Sequence, residues 1–260
     1  VLIEAVVLLS YICSMPAFKP TVDDVERIED LLVDASSLQG FLEGLCGLAA
    51  QVATRETGVA IDCGVFLRRH KRPSALAGSS AMAAQLMDGE VEGDGPCTEA
   101  WTTGVHVLVG ADAVEQRWPL HHKTLALAGY ASALLVPFDL GERACALLVF
   151  LAATPGAFTA EATPEIGNFN RVADRAMRIA VKIAAGSELI SDIHAAMRSR
   201  SLIDTACGMI MMQEHCTQEE AFKTLQRASS SRNKKLRHVA EEILERANSS
   251  AGKVAESSGL

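Results

Sequence analysis

Residues 198–243 read RSRSLIDTACGMIMMQEHCTQEEAFKTLQRASSSRNKKLRHVAEEI. Apolar residues recur at helical spacing in three runs separated by two short breaks. The first run continues to Glu214. Thr217-Gln218-Glu219-Glu220 then has the spacing of a capping box, in which hydroxyl and carboxylate satisfy the end amides of the next helix. That helix carries Ala221, Phe222, Leu225 and Ala228 on one face. Ser229 to Asn233 breaks it, and Ser231 or Asn233 suits the cap of a third helix burying Leu236, Val239, Ala240 and Ile243. Three short helices, each with one apolar face, make a small bundle.

A concentration of charge lies on this pattern. Lys223 to Arg237 contains six Lys/Arg (Lys223, Arg227, Arg232, Lys234, Lys235 and Arg237) and no Asp or Glu, in a chain of net charge −8. Residues 1–187 hold 14 Lys/Arg against 22 Asp/Glu, whereas residues 188–246 hold 9 of each. An acidic body repels nucleic acid, so polyanion binding belongs to the C-terminal part. Clustered cations gain affinity for phosphates by releasing condensed counterions. A solvated helix face plus a turn is the opposing reading, and charge alone leaves both open. Lys234, Lys235 and Arg237 stand where the third helix begins, with Arg232 in the turn beside them, and exposed amides at a helix start add anion affinity. Asn233 can read a base edge or cap the helix. Arg198 and Arg200 can contact phosphate or pair with acids. Phe222 fits core spacing, and no other aromatic accompanies the basic run, which argues against extensive base stacking.

Upstream, apolar spacing predicts helices over Val22–Glu56 with a joint at Gly40. Val59, Ile61, Cys63, Val65 and Leu67 then alternate as in a half-buried strand, and Ser74–Ser80 reads as a short second strand. Ala81–Met87 has helix-forming composition, and Gly89–Pro96 is a Gly/acid loop. Short apolar runs at Val105–Val109, Ala133–Phe138 and Cys145–Leu151 read as strands, the last two joined by a turn at Asp139–Glu142. From Pro164, a good first-turn residue, Val172, Ala176, Ile179, Ile183, Gly186, Ile190, Ile193 and Met197 alternate steps of four and three. That is the seam of a two-stranded coiled coil and implies a homodimer through 164–197; an amphipathic helix lying on its own domain would show the same pattern.

The C-terminal residues resemble an ANTAR domain, the RNA-binding output module of bacterial transcription antitermination regulators. Arg200, Ile203, Ala206, Gly208-Met209-Ile210-Met211, Glu220-Ala221-Phe222, Leu225, Ala228, Ser229, Asn233, Lys235-Leu236 and Val239-Ala240 carry the resemblance. Cys207 stands where the family usually has Lys, which puts a phosphate contact at that point in doubt. The preceding segment resembles the GAF domains fused to ANTAR in bacteria. The residues are Gly95-Pro96-Cys97, Ala100, Arg117-Trp118-Pro119, Gly129, Ser132, Leu134-Leu135-Val136-Pro137 and Ala157-Phe158-Thr159. GAF domains place a small ligand between the sheet and its covering helices; the cyclic-nucleotide signature of some of them is absent here. Cys97 and Trp101 are candidates for such a pocket. A helix start lowers a thiol pKa and would make Cys97 reactive, the alternative being a buried structural Cys.

The expected architecture is α+β: a GAF-like antiparallel sheet with flanking helices over 22–163, a coiled-coil helix over 164–197, and a three-helix ANTAR bundle over 198–246. An apolar extension (1–21) precedes it, packed on the body or preceding a true start at Met15, and a flexible tail (247–260) follows. Seven scattered cysteines without zinc-ligand spacing fit a reduced, cytoplasmic protein, and no run is long and apolar enough for a membrane span. His121-His122 has no evident third ligand, so no metal is expected. No catalytic constellation is present, so the chain reads as a regulator rather than an enzyme, with no evident cofactor beyond an unknown GAF ligand. The expected function is a signal-responsive binder of paired RNA stem-loops that prevents transcription termination, with a small molecule or an upstream signalling protein as input. A sensor whose helical C-terminus docks on a protein partner is the alternative, and DNA binding through a helix-turn-helix a third. Against DNA, the basic residues gather at a turn and a helix start, with few base-reading side chains on one exposed face.

Overall fold

A computed structural model describes residues 22–89, 95–110, 117–141, 144–159 and 163–257. The apolar extension at 1–21 and most of the Gly/acid loop lie outside the described residues. The chain divides into two compact units, Val1–Ala184 and Ala185–Leu260.

In the first unit, α1 (Val22–Asp34) packs on α2 (Leu38–Thr57), and the Arg55 guanidinium of α2 donates to both oxygens of the buried Asp24 carboxylate at 3.3 and 2.9 Å. The joint between them falls at 35–37, not at Gly40. Ser37 is extended, and its hydroxyl accepts from the Gly40 amide at 3.1 Å, so α2 starts before the glycine and absorbs it into its first turn. Gly58 closes α2 in the left-handed region (φ 72°) with its N–H on Thr54 O, and the chain turns into the sheet.

Five strands follow: β1 (Ile61–Arg69), β2 (Ala75–Gly78), β3 (Val107–Val109), β4 (Ser132–Asp139) and β5 (Ala144–Ala152). Their order is β2-β1-β5-β4-β3, and every neighbouring pair is antiparallel. The hairpin expected after Asp139 brings Asp139 opposite Cys145, with Gly141 N donating to Asp139 Oδ1 at 3.0 Å. Period-two alternation sorts the side chains. Leu134, Val136, Leu148 and Phe150 face a core shared with Phe41, Leu45 and Phe169; Leu135, Leu147, Val149 and Leu151 face a second core. That second core is closed by α3 (Ala81–Gly89), α4 (Pro96–Thr103) and α5 (Pro119–Leu127) through Leu86, Met87, Cys97, Ala100 and Leu125. Helices on both sides bury Phe66 as well as Val65, so β1 is covered on both faces rather than half-buried. A Cβ at Gly78 would lie 2.4 Å from Ala84 N, so only glycine lets α3 sit this close to β2.

The long helix α6 (Thr163–Glu214) begins in the first unit. Ile166, Phe169, Ala173, Ala176, Met177 and Ala180 enter the sheet core, and Val172 packs against it. The start of the expected coiled-coil seam is therefore spent on the chain's own sheet. Beyond it, Ile179, Ile183, Ile190, Ile193 and Met197 are 47–65% exposed. In the second unit, α7 (Gln218–Ser231) and α8 (Leu236–Ser257) follow α6. The backbone of α8 continues through most of the segment expected to be a flexible tail, where Ala247, Ala251 and Ala255 favour helix. Among the described residues, no helix is long and apolar enough to cross a membrane.

Candidate nucleic-acid interface

The apolar spacing read from the sequence builds the second unit's core. Ala206, Cys207 and Ile210 of α6 meet Ala221 and Leu225 of α7 and Val239 and Ala240 of α8. Phe222 packs against this cluster, partly buried. Cys207, at 3% exposure, points into the core, and burial pushes its thiol pKa up. The Cys207 side chain therefore does not belong to the exposed face.

Two turns position the cations. His215 takes a left-handed conformation (φ 50°) after α6, and Thr217 caps α7. The Glu220 amide donates to Thr217 Oγ1 at 3.4 Å, and the Thr217 amide donates to Glu220 Oε2 at 2.9 Å. The Thr217 amide, and after it the Thr217 hydroxyl donating to the same Oε2 at 2.8 Å, hold the Glu220 carboxyl below its ordinary pKa. At the second turn, Asn233 is left-handed (φ 49°) and closes α7. Neither residue proposed as a cap for the third helix serves it: Ser231 Oγ donates back to Ala228 O at 3.1 Å, and Asn233 lies three positions before Leu236. The Lys234 amide donates to Ser229 O at 3.1 Å, and the Ser229 hydroxyl donates to Lys234 O at 2.6 Å, pinning the turn from both sides.

All nine polar side chains singled out in the sequence (Arg198, Arg200, Lys223, Arg227, Arg232, Asn233, Lys234, Lys235 and Arg237) are exposed. They differ in what holds them. Lys223 pairs with Glu219 at 2.7 Å, and Arg227 donates to Thr224 Oγ1 at 3.2 Å. Arg232 and Lys234 converge on one carboxylate, Glu242, with Arg232 Nη1 3.1 Å from Oε2 and Lys234 Nζ on Oε1. Among the described residues, Lys235 and Arg237 make no ion pair. Arg200 lies 3.9 Å from Asp204 on α6, and no hydrogen bond or ion pair joins Arg198 or Arg200 to the α7–α8 turn. Glu242 is the residue that sequence reasoning missed. A count of cations ends at Arg237, and Glu242 becomes relevant only because the turn folds α8 back beside Lys234.

The profile of known families matches residues 191–244 to the ANTAR domain. Residues 191–244 are an ANTAR domain. ANTAR domains are RNA-binding antiterminator domains, so the exposed basic turn lies within an RNA-binding module. No curated protein sequence matches the chain. Among solved structures, the chain is similar to an N-acylhomoserine lactone dependent LuxR family transcription factor, CepR2 from Burkholderia cenocepacia (14% identity, 62% of this chain and 97% of that one, TM-score 0.47). It is similar also to the GAF domain of an Acinetobacter phosphoenolpyruvate-protein phosphotransferase (18% identity, 64% and 96%, TM-score 0.43). Escherichia coli SdiA aligns over 83% of this chain and 93% of its own, at 12% identity and TM-score 0.45.

The pocket candidates lie in the other unit. Cys97 follows Pro96 in the first turn of α4 and is packed in the second sheet core at 4% exposure. Trp101 packs against Phe66 (centroids 5.2 Å, tilted by 55°) beneath the Arg68 guanidinium at 5.0 Å, and its buried Nε1 has no hydrogen-bond acceptor among the described residues. Among the described residues, no three His, Cys, Asp or Glu gather as a metal site.

Proposed function

We propose that this chain is a signal-responsive RNA-binding regulator that holds paired stem-loops in nascent transcripts and so prevents transcription termination. One observation carries the reading: a pinned, exposed turn bearing Arg232, Lys234, Lys235 and Arg237 within an ANTAR domain. Phosphate contacts from these side chains position the RNA, and Arg198, Arg200, Lys223 and Arg227 extend the charged surface. Asn233, exposed at the tip of the turn, is the candidate for a base edge.

The sheet unit is the sensor in this reading. Its GAF-like motifs and helix-covered sheet support a small-ligand site near Cys97 and Trp101, or an input from an upstream signalling protein. The helix α6 joins the two units in sequence. Its exposed stripe, Ile179, Ile183, Ile190, Ile193 and Met197, keeps the three-four spacing of a coiled-coil seam, and we assign a second copy of this chain as its partner. A dimer presents two ANTAR modules, and two linked stem-loops bind with avidity because the second contact is intramolecular. Fluorescence anisotropy with tandem-hairpin RNA, single-hairpin RNA and duplex DNA tests this. Tandem RNA bound tightest, by tenfold or more at about physiological salt, is expected; equal affinity for duplex DNA, or no RNA binding, overturns it.

A further inference from the structure

The two cations that converge on Glu242 form a built oxyanion site. Each carboxylate oxygen receives one of them, Arg232 on Oε2 at 3.1 Å and Lys234 on Oε1. The cations are held by more than the pair itself. Lys234 is fixed through its amide and carbonyl to Ser229, and the Arg232 amide donates to Ala228 O at 3.2 Å. A carboxylate and a phosphodiester both offer two oxygens sharing one negative charge, so a site that holds the first has the spacing to accept the second.

We propose that Arg232 and Lys234 form a phosphate-binding site on the ANTAR face, and that Glu242 occupies it in the free chain and competes with the RNA backbone for it. This rests on the RNA-binding reading above and adds a regulating residue to it. The Glu242 side chain keeps 27% exposure, less than the 45% and 50% of its partners, so it sits beneath the cations while they face solvent. Its carboxyl is held below the ordinary range, chiefly by Lys234, and therefore stays ionised throughout the neutral range. RNA must displace it. The released carboxylate then gathers cations from solution, so net counterion release on binding is smaller than the phosphate contacts alone would give.

The test compares full-length wild type, Glu242→Gln and Glu241→Gln for tandem-hairpin RNA over a range of potassium chloride. Glu241 is adjacent, carries the same charge and has no ion pair among the described residues, so it controls for net charge. Glu242→Gln should tighten binding about two- to tenfold at low salt, with a steeper salt dependence, and Glu241→Gln much less. Equal effects of the two variants, or weaker binding by Glu242→Gln, overturn the inference and leave the RNA reading standing. Absence of RNA binding by the wild type overturns that reading and this inference with it. Inorganic phosphate at matched ionic strength is a further arm: it should displace RNA from the wild type more than chloride does, and equal displacement by the two anions would overturn the phosphate site.

Discussion

Thr217, Glu220 and Cys207 of the ANTAR domain show how side-chain environment sets chemistry. The capping box at Thr217 and Glu220 replaces water at the first amides of α7, and Thr217→Ala should cost about 1 kcal/mol of that unit's stability, read from urea unfolding. An unchanged midpoint would contradict it. The Glu220 carboxyl is lowered in the folded chain, so its contribution is present above the unfolded pKa and is lost as pH falls through the folded one. Unfolding midpoints should accordingly be insensitive to Glu220→Gln only below the ordinary carboxylate range. At Cys207 burial raises the thiol pKa and reduces the thiolate fraction at neutral pH, whereas Cys216 is half-buried. Alkylation followed by mass spectrometry should modify Cys216 before Cys207; the reverse order would contradict the burial. Helical register alone could have placed Cys207, since Ile203, Ala206 and Ile210 share its face. Family comparison pointed to a cation at that position instead.

At the scale of elements, regular spacing made most of the fold legible. The first strand follows from a period of two and the three C-terminal helices from a period of 3.6, whereas the later strands and their hairpin follow from short apolar runs separated by a turn. What it did not reveal was who covers each face. The four-three repeat of α6 serves two purposes in succession, Ala176 in the sheet core and Ile183 to Met197 in the open, and both demand the same spacing. Helix ends were equally obscure where a hydroxyl and a glycine competed, as at Ser37 and Gly40. The exposed stripe yields a direct expectation. Wild type should sediment as a dimer and Ile190→Glu as a monomer with unchanged helical circular dichroism; a monomeric wild type at all concentrations would contradict the dimer. At Gly186 a Cβ would meet nothing within 4 Å, so Gly186→Ala should stabilise α6 by about 1 kcal/mol in urea unfolding.

For the whole molecule, the division of charge is the governing feature. The acidic body holds 22 Asp/Glu up to residue 187, and the cations of the ANTAR domain stand out against it only because the α7–α8 turn projects them into solvent. Their concentration was visible in the sequence, as was the i,i+4 spacing of Glu219 and Lys223; the hold of Glu242 on Arg232 and Lys234 was not, because it depends on how the turn folds α8 back. Lys235, without an ion pair among the described residues, and Lys234, shared with Glu242, are adjacent in the turn and are removed together in the test. The most direct measurement is the salt dependence of tandem-hairpin RNA affinity for the full chain and for Lys234→Ala combined with Lys235→Ala. The account predicts weaker binding and a slope of log affinity against log salt shallower by about one for the Lys235 contact and by less than that for Lys234, whose displaced Glu242 recaptures cations. Unchanged affinity and unchanged slope would contradict it.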